Sequence, residues 1–168
     1  MLSAIAFLLG TCTPDSDKIE TPQEGYRPLY MTRTDLHQVV AAAPHALRNA
    51  GKIYVRGNYV FVNELNQGIH VIDNRDPTNP QNISFIRIPG NVDIAVKGNT
   101  LYADNGPDLI AFDISNPATA RLVKRIENVF PNQKYPPHTG VRFECVDDSK
   151  GVVIGWEKAI LPNARCRR

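Results

Sequence analysis

The chain repeats its own pattern about 40 residues apart, and this repetition limits its fold more than any other feature. Around the first turn of each copy, Val55, Gly57 and Asn58 match Val96, Gly98 and Asn99. Later in each copy, Asp73 and Pro77 match Asp113 and Pro117. Because four short segments of alternating or apolar residues fit within each copy, every copy predicts one four-stranded β-unit.

The predicted strands have closely matching positions in the two copies. The first copy gives 53–55, 59–62, 68–73 and 82–88, and the second gives 93–96, 101–103, 108–113 and 121–126. Four strands in about 40–45 residues is the size of one β-propeller blade. A twisted sheet must cover both faces, and neighbouring blades do so. The Gly-Asn pairs predict positive backbone dihedrals in the hairpin that joins the first two strands of each copy.

A third and poorer unit follows the two copies. Phe143–Val146 and Val152–Trp156 predict a hairpin, the first half of another blade. Residues 52–161 therefore predict about two and a half blades, whereas a closed propeller needs at least four. The fold class predicted is all-β, a partial propeller of antiparallel four-stranded blades. The chain is then a fragment of a longer protein, which we favour, or it completes its sheets by self-association through open blade edges.

The first 28 residues predict export and attachment to a membrane. Residues 1–12 predict a lipoprotein-type signal peptide: Met1 to Gly10 are an apolar run too short to span a bilayer, and the segment ends in Leu9-Gly10-Thr11-Cys12. This ending resembles the lipobox of bacterial lipoproteins, which makes Cys12 the predicted lipidated residue and the membrane a partner. The alternative is an ordinary cleaved signal peptide with an incidental cysteine. Residues 13–28 are polar and contain proline, and they predict a flexible tether.

Two further segments flank the repeats. Residues 29–51 predict a helical cap segment, with a short N-terminal helix over Met31–Ala43. Thr32 and Asp35 form a weak capping box, and Pro44 ends the helix. Residues 162–168 form a basic tail. Without its three arginines the net charge changes from +2 to −1, so no basic surface of the kind that binds nucleic acid is predicted.

The third strands and the turns after them resemble the LVIVD repeat, a family of bacterial β-propeller proteins. The resemblance is carried by Gly68–Asp73 and by Asp108–Pro117, which includes an Asp-x-Ser-x-Pro turn. It covers about Lys52 to Trp156. The resemblance implies a propeller fold, and together with the leader it implies a lipid-anchored protein of the outer membrane or cell surface, as in the Bacteroidetes. It implies no catalytic residues.

Few residues suggest a site. Asp93 follows the Gly90-Asn91 turn into an innermost strand, a place that lines the channel mouth in propellers, so Asn91, Asp93 and His138 are the candidate ligand-binding residues. Asp and Asn side chains after the third strands either bind a cation or, as we favour, shape their own turns. The histidines show no metal-ligand spacing, and no metal site or cofactor is predicted.

The remaining cysteines and the absence of a catalytic motif complete the expectations. Cys145 and Cys166 would lie in an oxidising compartment and are a candidate disulfide, although their spacing does not establish proximity. The function expected is a non-catalytic binding or scaffold module of the cell envelope, with an envelope protein or glycan as partner. The alternative is part of a propeller hydrolase or lyase in which Asp93 and His138 supply acid–base groups.

Overall fold

The computed structural model describes residues 22–168, about half of which form β-strands, mostly in antiparallel sheets. The strands in chain order are β1 (Gln23–Met31), β2 (Val40–Ala42), β3 (Ala50–Arg56), β4 (Tyr59–Glu64), β5 (Gly68–Asp73), β6 (Gln81–Arg87), β7 (Ile94–Lys97), β8 (Thr100–Asn105), β9 (Asp108–Asp113), β10 (Arg121–Ile126), β11 (Arg142–Phe143), β12 (Val152–Leu161) and β13 (Cys166–Arg167). One α-helical turn, α1 (Arg33–Leu36), follows β1, and two 3₁₀ turns lie at Pro117–Thr119 and Asp148–Lys150. None of the helices in this range is long and apolar enough to cross a membrane.

The two sequence copies form two sheets of the same design, which confirms the eight predicted strands. The first sheet has the order β2-β6-β5-β4-β3, and the second has the order β10-β9-β8-β7. Each inner hairpin has a two-residue turn, closed by Arg56 and Tyr59 in the first sheet and by Lys97 and Thr100 in the second. The positive dihedral comes from glycine alone, with φ of 55° at Gly57 and 60° at Gly98, and not from the asparagines that follow.

The main apolar core lies between these two sheets. Its fully or nearly fully buried members are Phe61, Ile69, Val71, Ile86, Ile88, Ile94, Leu101, Ala103, Ile110, Phe112 and Ile114. In the first sheet Ile69 and Val71 face the second sheet, so the alternation of a strand turns His70 to the opposite face. The stacking of blade on blade therefore hides one face of each repeat, as the repeat pattern predicts.

Strand register sets the correspondence between the repeats. His70 pairs with Val62 across β5 and β4, and Ile110 pairs with Ala103 across β9 and β8. Residues up to the β4–β5 turn therefore correspond to residues 41 later, and residues of β5 and β6 to residues 40 later. In this correspondence His70 occupies the place of Ile110, a core residue in the second repeat.

The segment before the repeats differs from the predicted helical cap. Thr32 caps α1 and accepts a hydrogen bond from the Asp35 amide, but the predicted 31–43 helix is not confirmed, because it ends at Leu36 after one turn. Val40–Ala42 instead form β2 on the outer edge of β6. Backbone hydrogen bonds offered by that sheet edge outweigh helix formation, since β-branched Val39 and Val40 gain little from a helix. The tether predicted over 13–28 overlaps β1, which begins at Gln23.

The third sheet is not the predicted half blade. Its order is β12-β1-β11-β13, so β1 lies between the two strands expected to form a hairpin, and β1 and β11 run parallel. The predicted basic tail is part of this sheet, because β13 pairs with β11. Two blade-like sheets and a sheet of different topology are therefore present in residues 22–168, and these residues do not form a closed ring.

Candidate functional site

A cleft of about 570 Å³ opens beside Asp93, between the innermost strands and the loop after β10. Its walls come from the starts of β3 and β7, from β8, from the loop 130–133 and from Val153 of β12. The volume lies within the range of small-molecule sites. The residues that line the cleft are Lys52, Val92, Asp93, Ile94, Ala95, Tyr102, Ala103, Asp104, Gly106, Pro107, Leu109, Phe130, Pro131, Asn132, Gln133 and Val153.

Asp93 is the predicted site residue that reaches this cleft. One carboxylate oxygen accepts a hydrogen bond from Lys52 Nζ at 2.6 Å, and the other accepts from the Ile94 amide at 2.7 Å. The Asp93 side chain is 55% exposed, so ligand can reach it. Lys52 occupies the position in the first repeat that Asp93 occupies in the second, and the ion pair joins the two innermost strands.

Asn91 has a structural position instead of a ligand-binding one. Its side chain is fully buried, and its Nδ2 donates to Asp104 Oδ1 at 2.7 Å and to the Asp93 and Asp104 carbonyls. Its Oδ1 accepts from Asn63 Nδ2 at 2.6 Å. Both polar atoms are occupied, so Asn91 fixes the link between the two sheets and does not reach the cleft.

Asp104 lies beneath the loop 91–93 and contacts all three of its residues. Burial raises the pKa of its carboxyl, the Asp93 charge adds to the rise, and hydrogen bonds from the Asp93 and Val92 amides and from Asn91 oppose it. A buried carboxyl that protonates more readily than usual therefore lies next to the exposed Asp93 carboxyl. Its Oδ1 already accepts three hydrogen bonds, which gives it a structural role in shaping residues 91–93.

His138 is not brought together with Asp93. Its ring lies 5.4 Å from the ring of Tyr26 on β1, in the third sheet, and it is not part of the cleft lining. Cys145 and Cys166, by contrast, are joined by a disulfide whose Cα atoms are 5.2 Å apart. Cys12 and the rest of the predicted leader lie outside the described residues.

The acidic and amide residues after the third strands shape their own turns. Each accepts a hydrogen bond from the amide two residues later, at 2.9–3.2 Å. The four residues are Asp73, Asp76, Asp113 and Asn116. Their oxygens therefore serve the turns, as the favoured interpretation expects.

Sequence reasoning missed a cluster of His45, Glu64 and His70 on the outer face of the first sheet. His70 Nε2 lies 2.8 Å and His45 Nε2 lies 3.0 Å from the same oxygen, Glu64 Oε2. The other oxygen, Oε1, accepts from the Arg48 amide at 3.2 Å. Glu64 ends β4, His70 is in β5 and His45 lies on the loop before β3, so no regular spacing in the sequence marks the set.

The cluster is packed as well as hydrogen-bonded. The centroid of the His45 ring lies 4.8 Å from that of the His70 ring and 4.4 Å from that of the Phe85 ring. The 43–49 loop therefore covers this face of the sheet. Burial alone would raise the pKa of Glu64, but hydrogen bonds from His70, His45 and the Arg48 amide outweigh it and hold that pKa below its ordinary value. Glu64 is therefore an ionised carboxylate in a nearly closed environment.

The second repeat has a different polar group at the corresponding place. We call this place the corner of the sheet: it is the β4–β5 turn in the first repeat and the β8–β9 turn in the second. Asn105 stands where the first repeat has Glu64, and Asp108 stands where it has Gly68. Asp108 is fully buried and accepts from Arg125, Asn128 N–H, His37 and Arg33 at 2.7–3.3 Å. Burial raises the pKa of Asp108, but these donors, chiefly the Asn128 amide and Arg125, outweigh it and hold that pKa below its ordinary value.

Comparisons with known proteins agree with the repeat design. The family model of the LVIVD repeat matches residues 47–85 and 90–127. No curated protein and no solved structure matches the chain. The first matched segment contains β3, β4, β5 and most of β6, and the second contains β7–β10. The chain therefore contains two LVIVD repeats, each folded as an antiparallel sheet.

Proposed function

We propose that the chain is a non-catalytic binding module of the cell envelope, with the Asp93 cleft as its ligand site. The observation that carries the proposal is the cleft of about 570 Å³ at the ends of the innermost strands, where charged, aromatic and amide groups meet. Small-molecule sites have this mixture of apolar wall and a few polar groups. Residue Cys12 at the end of the apolar leader supports attachment by a lipid.

The chemistry of the cleft favours a glycan. Tyr102 and Phe130 are each about two-fifths exposed, so ring surface is available to the apolar face of a sugar. Asn132 and Gln133 add amide donors and acceptors, and Asp93 adds a carboxylate for hydroxyl groups. A segment of envelope polysaccharide presents alternating apolar and hydroxyl surfaces that match these groups.

The alternative, a hydrolase or lyase, is supported by one feature. The carboxyl of Asp104, whose pKa is raised by burial, lies next to the carboxyl of Asp93, and a pair of carboxyls of which one has a raised pKa is typical of acid–base sites. Three donors already occupy Asp104 Oδ1, and His138, the second acid–base candidate, lies beside Tyr26 instead. The binding proposal therefore accounts for more of the arrangement.

The test measures binding of purified envelope polysaccharide and soluble peptidoglycan fragments by calorimetry. We expect saturable binding to one of them that weakens by about 1 kcal/mol or more, roughly fivefold, in Tyr102→Ala and in Phe130→Ala. Tyr135→Ala is the matched control, because Tyr135 is exposed but lies outside the cleft. No binding to either probe would contradict the proposal, and product formation that is lost in Asp93→Asn would favour the enzyme alternative.

A separate experiment tests the anchor. We expect the full chain to fractionate with membranes and Cys12→Ser to fractionate with soluble protein, because loss of the thiol removes the point of lipid attachment. The matched control is Cys145→Ser, which leaves Cys12 in place. Recovery of the unchanged chain in the soluble fraction would contradict a lipid-anchored location at the outer membrane or cell surface.

Self-association is the second kind of partner that we propose. Ile53 and Val55 on β3 are each about three-fifths exposed, and β3 is an edge strand of the first sheet. An exposed apolar edge strand favours pairing with another chain. Sedimentation should detect a dimer that Val55→Lys removes, and a monomer at all concentrations would contradict this.

A further inference from the structure

The His45–Glu64–His70 cluster has the composition and arrangement of a metal site. Its three ligand atoms lie within 4.8 Å of one another, and His70 and Glu64 are both almost fully buried. We propose that these three residues bind a divalent transition-metal ion of the zinc class. The set of two imidazoles and one carboxylate suits zinc, which binds nitrogen and oxygen ligands and accepts three protein ligands plus water.

Metal binding requires the ligand atoms to draw together by up to about 1.5 Å, because they now spread over as much as 4.8 Å. In a tetrahedral zinc site with bonds of about 2.0–2.1 Å, neighbouring ligand atoms lie about 3.3 Å apart. The two imidazole nitrogens are already 2.8 and 3.0 Å from Glu64 Oε2. Both Nε2 atoms contact one carboxylate oxygen, so a cation placed between them replaces two hydrogen bonds, and the loop residue His45 can make the larger part of the movement. His45 is 46% exposed, which leaves a path for the ion and its water.

A comparison of the cationic partners of the buried carboxylates at the two corners also favours a bound metal ion. In residues 22–168 the basic side chains within ion-pair distance of Glu64 are His45 and His70, and no lysine or arginine is among them. At the corresponding corner of the second repeat, Asp108 is paired with Arg125 and Arg33. A buried carboxylate needs compensation by a cation or several donors. Glu64 has three hydrogen-bond donors but no arginine side chain, so a metal ion would give it the cation that Asp108 has.

Asn82 controls which nitrogen of His70 is free. Its Nδ2 donates to His70 Nδ1 at 3.0 Å and to the His45 carbonyl at 2.8 Å, which places the His70 proton on Nε2. The buried Asn82 Oδ1 has no hydrogen-bond partner among the described residues. For the Nε2 lone pair to face the ion, the proton must leave Nε2; rotation of the amide offers Oδ1 to a proton on Nδ1 and gives up the hydrogen bond to the His45 carbonyl. Metal-binding histidines usually have such an acceptor on the second nitrogen.

The test uses the untagged full chain with Cys12→Ser, so that the leader thiol binds no metal. We expect one Zn²⁺ per chain by calorimetry and a visible Co²⁺ spectrum with nitrogen and oxygen ligands. His45→Ala should weaken binding at least roughly tenfold, because even outer-shell partners contribute that much. Since His45 is exposed, this variant should fold, and circular dichroism checks that it does.

Two further variants sharpen the result. Glu64→Asn and His70→Ile copy the residues of the second repeat, Asn105 and Ile110, and should abolish binding. His37→Ala is the matched control, because His37 contacts Asp108 without a second imidazole at that carboxylate, and it should leave Zn²⁺ affinity unchanged. Zn²⁺ should also raise the Tm of the parent chain and leave that of His45→Ala unchanged.

Clear results would overturn the inference. Absence of saturable Zn²⁺ and Co²⁺ binding by the folded chain would show that the cluster is only a hydrogen-bonded group, as would equal affinity in His45→Ala. Neither result affects the glycan proposal, because Tyr102 and Phe130 line a different cleft. Loss of glycan binding with retained Zn²⁺ binding would likewise leave the metal site standing.

Discussion

Replacement of Asp108 by asparagine should destabilise the protein severely. Asp108 is fully buried, and the guanidinium of Arg125, whose side chain is 16% exposed, donates to it at 2.7 Å. Asparagine keeps the shape but removes the charge, so Arg125 remains buried without its counter-ion. Loss of one partner of a buried ion pair costs about 3–5 kcal/mol. That is a large part of the roughly 5–15 kcal/mol that stabilises a typical domain.

Urea unfolding at pH 7 measures this loss, with Arg33→Ala as the comparison. Arg33 donates to the same carboxylate at 3.3 Å, but its side chain is 42% exposed. Exposed ion pairs contribute about 0–1 kcal/mol, so this variant should lose no more than that. The reasoning fails if Asp108→Asn unfolds within 1 kcal/mol of the parent, or if the two variants lose equal stability.

The same pair predicts a pH dependence. The pKa of Asp108 is lowered in the folded state, so its ionised form is stabilised by folding. That stability is present above the ordinary aspartate pKa of about 3.9 and is lost as the pH falls through the folded-state pKa. The stability difference between the parent and Asp108→Asn should therefore shrink when unfolding is measured at pH 3. A difference that grows in acid would contradict the assignment.

Three further changes test the fold by urea unfolding. Ile110→Ala should cost about 2–5 kcal/mol, because Ile110 is fully buried between the two sheets, and a loss below 1 kcal/mol would contradict that packing. Removal of the Cys145–Cys166 disulfide by two serines should cost about 3 kcal/mol, from the chain entropy of a 21-residue separation, and reducing agent should then have no further effect. Gly68→Ala should lower the free energy of unfolding more than Gly57→Ala, because its Cβ would collide with the Ile86 backbone oxygen while Gly57 has open space.

The repeat strands were predictable because their signal is local and occurs twice. Period-two alternation fixes strand type, and Gly57 and Gly98 fix the hairpins, so neither depends on distant contacts. The prediction of a helix over 31–43 was wrong because part of that segment pairs, as β2, with β6, which begins at Gln81, far along the chain. The prediction of a half blade in place of the third sheet was wrong for the same reason, since β1 pairs with β12, which lies near the other end of the described residues. Local sequence patterns do not predict which distant strands pair.

The candidate sites follow the same division. The position of Asp93 at a cleft was predictable, because its place at the start of an innermost strand is a property of the repeat. The histidine cluster was missed because His45, Glu64 and His70 come from a loop and two strands and share no spacing. A comparison of the two copies position by position contained the signal, since a polar His70 in the first repeat corresponds to the apolar Ile110 in the second.

The two polar corners show where a repeat of this kind can vary. In both repeats the segment entering the sheet closes the corner, through the Arg48 amide on Glu64 and through the Pro89 carbonyl that accepts from Asn105. Residues 48 and 89 are 41 apart and so occupy equivalent positions. The backbone contact is therefore kept while the side chains change. Because the apolar core between the sheets does not depend on them, the corner side chains are free to differ in chemistry from repeat to repeat.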